Sequence, residues 1–593
     1  MKRFLLLSLL FSTQLSFAQK QYEKWCFGHQ CGIDFSTGTA VAITTPMTTL
    51  YGVSESGAMI CDLNGNLLFY SDGDGTDSTC NGVRWGKIWN RNGVTMDGGI
   101  LDDTAGGGYS SRQGALIVPR PGTTDQYYLL NSDHVEWEGD TMCTQPYPYK
   151  KGGGVGYFLI DMSQNGGDGK VMEYNKKLLV PSFEGLTATR HANGMDYWIA
   201  TQTGWYDLGF PSADSVFMYR LTSTGFSAPL KFPLGINDAM LRFSPDGKKF
   251  FVEDTKTVYD FDNATGNISN PRVLTNTGST FNLSWVFSPN SKYLYYLEYV
   301  MVGIFNYKYS LFQYDTDAAN ISVTKTLVAN TPTLPVTGGI ILYGQAQTAP
   351  DGKIYIARYN GEDSLDCQTL SVIHCPNKYG SAANFVENGF TLMPNTYVSF
   401  NMPNNIEYFL QSEDTCGLTI RADYTYLKNC YLDSIPFVDM SYTNITSWSW
   451  DFGDPGSGAN NFSTLQNPVH KFATPGVYTV TLMVSDGTYS DTIFYNTEIL
   501  NCFPKGVDEH RLTFETTVFP NPSSDACTFT FSDGGTIYSL EIFDVSGRLI
   551  LNEKNITGNS FSLNTSGISS GTYFFRVISD VNKISRGKLV VGK

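Results

Sequence analysis

The sequence predicts an all-β protein, because its composition and a repeated strand-turn-strand pattern both favour sheets. Aromatic residues make up 14% of the 593 residues, and glycine contributes 58. Aromatic side chains suit pleated, half-buried strands, while glycine supplies the tight turns between them. Long amphipathic helical patterns are missing. At roughly 150 residues for each domain, we expect two to four β-domains.

The first 18 residues have the pattern of a signal peptide. Lys2 and Arg3 precede an apolar run over residues 4–11, and Ala18 supplies a small residue before the expected cleavage site. The run is shorter than the about 20 apolar residues that cross a bilayer, and no later stretch reaches that length. We therefore expect an exported chain with no transmembrane segment.

Residues 22–411 contain a repeat, in which an apolar strand, a polar turn and an aromatic strand follow one another. The copies begin at Cys61, Val118, Arg190, Phe243, Phe287 and Thr348. Turns such as Ser244-Pro245-Asp246-Gly247 allow the flanking strands to pair as a hairpin. One such sheet cannot cover its own faces, whereas six to eight packed around an axis can. We predict a β-propeller of about seven blades, closed by a strand over 33–41 against 398–408.

Several segments of this region resemble a known propeller module. Trp25, residues 65–73 and residues 190–194 are similar to the propeller of surface and gliding-associated proteins in bacteria with the type IX secretion pathway. The resemblance implies a fold and a location. It does not imply an activity.

Residues 416–502 form a second predicted module. Trp448–Asp454, Pro468–Phe472 and Gly476–Val484 together resemble a PKD domain, which is an immunoglobulin-like β-sandwich. We expect Trp450 to lie between the two sheets. Such modules act as spacers or contacts, and residues 503–512 are interpreted as a linker.

Residues 513–593 contain short alternating strands that predict a small C-terminal β-sandwich. Their most distinctive residues are Pro520, Asn521, Pro522, Gly547, Gly571, Tyr573 and Lys588. This pattern resembles the type A C-terminal sorting domain of the type IX secretion system. The resemblance implies handling by the type IX machinery, export across the outer membrane, removal of the domain and attachment of the remainder to the cell surface.

The charge of the chain excludes one class of partner. The formal net charge is −16, and residues 513–593 contain seven basic and seven acidic side chains, so the excess of carboxylates lies before residue 513. Nucleic-acid binding requires clustered Lys and Arg instead. The acidic surface is expected to favour solubility and to repel neighbouring molecules.

The 11 cysteines of an exported chain predict disulfides rather than metal sites. Local spacing favours three pairs and brackets the second module with three further cysteines. The pairs are Cys26 with Cys31, Cys61 with Cys80, and Cys367 with Cys375; the bracketing residues are Cys416, Cys430 and Cys502.

One predicted propeller loop concentrates acidic side chains. Glu136, Trp137 and Asp140 are candidates for ligand binding, with the indole stacking on a sugar ring. Asp133 and Glu138 are candidates for holding Ca²⁺, which prefers oxygen ligands. A solvated loop with no ligand is the alternative.

His191 is a further candidate, because it precedes a turn and would suit a ligand-facing position near the axis. The alternative is a hydrogen-bonded structural histidine, since a lone imidazole without a nucleophile performs no obvious chemistry. Asp451 and Asp454 likewise allow either a metal site or a turn. No sequence motif indicates a catalytic nucleophile or a phosphate loop.

Three hypotheses of function remain open. The favoured one is a non-catalytic surface protein for binding or adhesion, in which the propeller recognises a polysaccharide or a surface protein. A second is a secreted carbohydrate-active hydrolase or lyase with its site at the propeller axis. A third is a structural component of a surface or motility apparatus, which would show a broad apolar patch.

Overall fold

The computed structural model describes residues 20–47, 57–73, 76–79, 82–101, 112–132, 154–180, 182–203, 214–236, 240–275, 285–303, 306–331, 341–360, 368–398, 400, 402–410, 420–441, 445–500, 514–532, 537–545, 547–580 and 584–592. Two compact units are present, Met1–Asn501 and Cys502–Lys593. Across the described ranges, helical structure is limited to short 3-10 segments, at Lys20–Tyr22, Asn165–Gly167, Ile321–Thr324, Gly380–Ala383, Glu407–Leu410 and Pro455–Asn461. The predicted all-β class is confirmed.

The described strands between residues 20 and 410 form seven antiparallel groups in chain order, called sheets 1 to 7 here. Sheet 1 contains β1 (Lys24–Phe27), β2 (Cys31–Asp34) and β3 (Val41–Thr44). Sheet 2 contains β4 (Ala58–Cys61), β5 (Leu67–Ser71), β6 (Thr76–Thr79), β7 (Gly82–Asn90) and β8 (Thr95–Leu101). Sheet 3 contains β9 (Ala115–Pro119), β10 (Gln126–Asn131), β11 (Val155–Asp161) and β12 (Lys170–Leu179). Sheets 2 and 3 are joined at their last strands by one parallel pair, Asp97 with Lys170.

The four later groups follow the same plan. Sheet 4 contains β13 (Leu186–Arg190), β14 (Tyr197–Gln202), β15 (Ser215–Thr222), β16 (Gly225–Phe226) and β17 (Leu230–Pro233). Sheet 5 contains β18 (Leu241–Phe243), β19 (Lys249–Val252), β20 (Thr257–Asp262) and β21 (Asn267–Val273). Sheet 6 contains β22 (Val286–Phe287), β23 (Tyr293–Gly303), β24 (Asn306–Asp315) and β25 (Thr326–Asn330). Sheet 7 contains β26 (Ile341–Thr348), β27 (Ile354–Asn360), β28 (Thr369–Ile373) and β29 (Phe385–Thr391).

Each of the six predicted repeat copies forms the first hairpin of one sheet, from sheet 2 to sheet 7. In sheet 5 the Gly247 N–H donates to the Ser244 carbonyl at 2.8 Å, and Gly247 has a φ of 64°. Ser291 occupies the equivalent position in sheet 6 with a φ of 62°. A positive φ suits glycine, so the Pro-Asp-Gly turns dictate these hairpins locally.

The sheets pack against one another in chain order. The first strands of sheets 1 to 5 lie beside one another in turn, as do those of sheets 6 and 7. The Tyr355 ring of sheet 7 lies 5.9 Å from the ring of Trp25 in sheet 1 and 5.9 Å from that of Phe35, which directly follows β2, measured between centroids. The last sheet of the series therefore packs against the first.

The predicted closing strands are wrong in detail. Residues 33–41 contain the end of β2, a turn at Gly38 with a φ of 78°, and the start of β3. Tyr397 forms an isolated bridge with His29. Residues 402–410 form no strand, because their polar groups bond to the first strands of several sheets and not along one sheet edge.

We call residues 402–410 the central segment, since it contacts the innermost strands of several sheets. The Asn404 side chain donates to the carbonyls of Ala115 in β9 and Leu186 in β13, at 3.0 and 2.9 Å. Glu407 pairs with Arg242 of β18, whose guanidinium also donates to a carbonyl of β26 at 3.0 Å. Met402, Ile406, Tyr408, Phe409 and Leu410 are all buried. The segment is therefore packed against the first strands of sheets 3, 4, 5 and 7.

The first unit ends in a β-sandwich, called the sandwich here. One sheet contains β30 (Tyr424–Tyr426), β31 (Ile435–Asp439) and β34 (Val469–His470). The other contains β32 (Ser447–Asp451), β33 (Phe462–Ser463), β35 (Gly476–Ser485) and β36 (Ser490–Ile499). Trp450 is 1% exposed, and its ring contacts Tyr424 and Phe437 of the opposite sheet at 5.2 and 5.7 Å. Its predicted place between the sheets is confirmed.

The second unit is also built of two sheets. The smaller contains β37 (Thr516–Phe519), β38 (Ala526–Phe531) and β41 (Ser560–Asn564). The larger contains β39 (Ile537–Asp544), β40 (Leu549–Thr557), β42 (Gly571–Ser579) and β43 (Ile584–Val591). Phe529 and Phe575 meet edge to face between the sheets at 5.1 Å, within one hydrophobic core.

Candidate functional sites

The predicted Pro-Asn-Pro signal is attached to the last strand of the chain. The Asn521 side-chain amide donates to the Lys588 carbonyl at 2.7 Å, and the Val590 N–H donates to the Asn521 Oδ1 at 2.8 Å. Pro520 and Pro522 restrict the backbone on either side of this amide. The structure therefore brings four of the predicted signal residues together.

The other signal residues lie at the same end of the larger sheet. Gly571 pairs with Val591, and Tyr573 pairs with Asp544 of β39. Gly547 lies in the turn that follows Asp544, with a φ of 83°. Tyr573 is 8% exposed, so it contributes to the core of this corner.

A buried ionic contact joins the sandwich to sheet 4. The Arg190 Nη1 donates to both carboxylate oxygens of Asp423, at 3.1 and 3.0 Å. The Nη2 of the same guanidinium donates to the carbonyls of Tyr424, at 2.9 Å, and Gly194. Arg190 and Asp423 are 1% and 0% exposed. A buried charge pair needs several such partners, because leaving either charge unpaired is costly.

Two tyrosines extend this contact to the central segment. The Tyr495 hydroxyl donates to Asp423 at 2.6 Å and lies 2.7 Å from the Tyr408 hydroxyl. Burial raises the pKa of both tyrosines, which keeps them neutral. Arg421 donates to the Tyr408 carbonyl at 2.9 Å. We call the contacts of Arg190, Tyr408, Arg421, Asp423 and Tyr495 the joint.

The joint lies at the edge of sheet 4 that carries its first hairpin. Gly194 is in that hairpin turn, where an added Cβ would lie 2.5 Å from the Tyr495 ring. Gly122, in the first hairpin of sheet 3, faces the Leu427 carbonyl in the same way at 3.3 Å. The sandwich therefore rests closely on this edge, and it is a fixed contact rather than a flexible spacer.

His191 is buried beside the joint. The Asn193 N–H donates to His191 Nδ1 at 3.0 Å, so Nε2 carries the proton and donates to the Ala264 carbonyl at 3.0 Å. Burial lowers the pKa of the imidazole. Both ring nitrogens serve the local backbone in this structure, and a ligand role for His191 stays a prediction.

The predicted acidic loop lies outside the described residues. It contains Asp133, Glu136, Trp137, Glu138 and Asp140. Its flanking strands, β10 and β11, are the second and third of sheet 3. β10 ends and β11 begins at the edge of the sheet opposite the first hairpin, which we call the opposite edge.

A buried ionic cluster, which sequence reasoning missed, lies at the opposite edge. Arg112 precedes β9, Glu184 precedes β13 and Glu253 follows β19. The Arg112 guanidinium lies 2.8 Å from the Glu184 carboxylate and 3.5 Å from that of Glu253. A charged residue at the end of an apolar strand is the available sequence signal. That signal does not reveal the pairing, since the partners are far apart in the chain.

Asp451 and Asp454 were candidates for a metal site. In the structure, both carboxylates accept hydrogen bonds from backbone N–H groups. Asp454 accepts from the Ala473 N–H at 2.9 Å and lies 3.2 Å from His470 Nε2. Asp451 accepts from the Gly453 N–H at 2.9 Å. Both carboxylates therefore stabilise turns. Within the described ranges, no three His, Cys, Asp or Glu side chains cluster as metal ligands would.

Two predicted disulfides are wrong. Cys26, Cys31 and Cys61 form no disulfide, and all three side chains are buried. In the register of β1 and β2, Cys26 lies opposite Gly32, so it does not face Cys31. Burial raises the pKa of Cys26 to about 12, which makes that thiol unreactive.

Two other cysteines behave differently. Cys375 and Cys430 are disulfide-bonded. Their predicted partners lie outside the described residues: Cys367, Cys416 and Cys502. Those pairings stay predictions, as does the signal peptide at 1–18, which also lies outside the described ranges.

Comparison with protein families gives two matches. Residues 517–592 match the secretion system C-terminal sorting domain, and residues 434–498 match the PKD domain. The chain thus carries a type IX sorting domain behind a PKD domain, as the resemblances implied. The sorting domain indicates export to a surface or extracellular location and interaction with the secretion machinery. Within the described residues, no helix is long and apolar enough to cross a membrane.

Comparisons with whole proteins add little. No curated protein matches. A functionally unknown protein from Desulfotomaculum acetoxidans is 13% identical, with 65% of this chain and 99% of that chain covered and a TM-score of 0.32. Kluyveromyces lactis Hsv2p is 10% identical over 60% and 90%, with a TM-score of 0.30. A putative TolB from Agrobacterium tumefaciens is 14% identical over 56% and 87%, with a TM-score of 0.23. These scores are too low to carry a functional argument.

Proposed function

We propose that this protein is an exported, non-catalytic recognition protein, in which sheets 1 to 7 form a β-propeller that binds a surface polysaccharide at the opposite edge. The central segment is the observation that carries the proposal. Met402, Ile406 and Phe409 fill the centre with apolar side chains, which leaves little room there for a substrate. The central segment also leads the chain to the joint.

The position of the sandwich supports the choice of edge. It rests on the first hairpins of sheets 3 and 4, through Gly122 and Gly194. β10 ends at the opposite edge with Asn131, and Trp137 and its neighbouring carboxylates follow soon after in the chain. An indole face stacks on a sugar ring, and carboxylates bind sugar hydroxyls or a bridging Ca²⁺. This combination favours a polysaccharide over a protein partner.

A glycan array tests the proposal on the full chain without its signal peptide, with and without calcium. Trp137→Ala should reduce glycan binding at least tenfold. Tyr489→Ala is the matched control, because that aromatic side chain is 62% exposed on the sandwich. Equal binding by wild type and Trp137→Ala, or no binding by wild type, would refute the proposal.

The calcium contribution has its own test. Asp133→Asn and Glu138→Gln should abolish any calcium dependence of glycan binding while leaving the calcium-free signal unchanged. Glycan binding that is insensitive to chelation would remove Ca²⁺ from the proposal and leave the stacking contact of Trp137.

A secreted hydrolase or lyase is the second candidate, and the ionic cluster of Arg112, Glu184 and Glu253 favours it. Two carboxylates and a guanidinium that lie together at the opposite edge can support acid-base chemistry. Their burial and mutual pairing favour a structural role, since Arg112 forms an ion pair with each carboxylate. Release of oligosaccharides from a polymer, lost in Glu184→Gln, would establish the enzyme instead.

A further inference from the structure

The larger sheet of the sorting domain has one face on the core and one face outward. On the outward face, side chains of three adjacent strands form two rows. We call this group the basic-aromatic face, and its members are Glu541, Phe543, Phe574, Arg576, Arg586 and Lys588.

The register of the strands fixes the two rows. Phe574 of β42 lies opposite both Phe543 of β39 and Lys588 of β43. Arg576, two residues further along β42, is flanked in the same way by Glu541 and Arg586. With neighbouring strands about 4.8 Å apart, each row is about 10 Å wide.

The face exposes an aromatic side chain, and local contacts hold Arg576 in one orientation. Phe574 is 50% exposed. Exposure of an aromatic side chain to water is unfavourable, so burying it against a partner would be favourable. The Arg576 Nε donates to the Glu541 carboxylate at 2.7 Å, and its guanidinium lies 5.8 Å from the Phe543 ring centroid. Because these contacts already orient the arginine, little entropy is lost when a partner binds.

The charge of the face indicates the partner. Three of the seven basic residues of the sorting domain lie on it, against one of the seven acidic residues. The sorting domain as a whole has as many acidic as basic residues, so this face is more basic than its own domain. Exposed cations beside an aromatic ring complement a protein surface that presents carboxylates around an apolar group.

The corner of the sorting domain that contains Pro520, Asn521 and Pro522 adjoins this face. Asn521 holds the carbonyl of Lys588 while the Lys588 side chain remains exposed. The Pro-Asn-Pro segment therefore fixes the strand from which Lys588 and Arg586 project. A structural role for the corner and a recognition role for the face fit together.

We propose that the basic-aromatic face is the surface by which the type IX secretion machinery recognises the sorting domain, through an acidic, apolar-centred patch on a machinery protein. This docking is separate from the proposed glycan site. Failure of one would leave the other intact.

Export of the full chain in its native bacterium tests the proposal. Lys588→Glu and Phe574→Ala should each lower the exported fraction at least fivefold, and Arg586→Glu with Lys588→Glu should lower it further. Lys588→Arg should retain export because it keeps the charge. Lys554→Glu is the matched control, since Lys554 is an exposed base on β40 outside the two rows.

A folding control accompanies the assay. The purified Lys588→Glu chain should melt at the wild-type temperature, because the Lys588 side chain is exposed and its carbonyl makes the bond to Asn521. Normal export of Phe574→Ala and of the double charge reversal would overturn the proposal. An equal loss in Lys554→Glu would overturn it as well, since net charge would then explain the defect.

Discussion

The sandwich and the sorting domain are both small two-sheet β-domains, yet they use charge in opposite ways. At the sandwich, Arg190 and Asp423 are buried completely and hold the domain on sheet 4. In the sorting domain, Arg576 and Glu541 pair on an outward face, with side chains 37% and 19% exposed. A buried pair fixes a position, because it tolerates no other arrangement of its partners. An exposed pair remains available to another molecule.

The largest expected effect comes from breaking the buried pair. Asp423→Asn leaves the Arg190 charge without its counter-ion and should destabilise the first unit by about 3–5 kcal/mol. Glu541→Gln is the matched change in the sorting domain and should cost at most about 1 kcal/mol. Denaturant unfolding of the full chain, followed separately for each unit, measures both. Equal losses of unfolding free energy in the two variants would contradict the difference between the buried pair and the exposed pair.

Close packing at the joint gives the next largest effect. Gly194 has a φ of 74°, and a new methyl group would meet the Tyr495 ring at 2.5 Å. Gly194→Ala should therefore cost about 2–4 kcal/mol, from backbone strain and overpacking together. Gly225→Ala separates the two causes, since Gly225 has a φ of 112° and no atom within 4 Å of an added Cβ. Similar losses at both positions would mean that strain alone acts and that the joint is loose.

The buried carboxyl of Glu23 should make the stability of the first unit depend on pH. Glu23 is 5% exposed, and its Oε2 accepts no hydrogen bond from any described residue. Burial raises the pKa of Glu23 from its usual 4.5 to about 7. The folded state thus binds the proton more tightly than the unfolded state, so the stability present below pH 4.5 is lost as the pH rises to 7.

Glu23→Gln should remove this pH dependence and stabilise the first unit by about 1–3 kcal/mol at pH 8. Thermal unfolding between pH 4 and pH 8 measures the effect. Glu498→Gln, at an exposed position of the sandwich, is the control and should leave the pH profile unchanged. A wild-type stability that stays level between pH 4.5 and pH 7 would contradict the assigned role of Glu23.

Local features of the fold were predictable from sequence, and long-range contacts were not. Turns such as that of Gly247 are dictated by four consecutive residues, so the six hairpins were located correctly. Arg190 and Asp423 are 233 positions apart, and no pattern near either residue indicates the other. The pairing of Arg112 with Glu184 could not be predicted for the same reason, because the two residues are 72 positions apart.

Two predictions were wrong because closeness in the sequence was taken to mean contact or continuity in the structure. Cys26 and Cys31 are close in the chain, but the register of the hairpin places Gly32 opposite Cys26. The predicted strand over 33–41 contains Gly38, whose positive φ ends one strand before the next begins. The predicted sorting domain is confirmed, because residues 517–592 match the secretion system C-terminal sorting domain.

The central segment also determines where the polypeptide can be divided. Sheets 1 to 7 are all synthesised before Met402, so a chain that stops at residue 400 would have every strand of these sheets but would lack the buried side chains that pack against their first strands. Residues 402–410 supply the missing interior, including Ile406 and Phe409, which are 0% and 2% exposed. A fragment meant to represent the sheets alone must therefore keep this stretch, and its natural end point falls beyond Leu410.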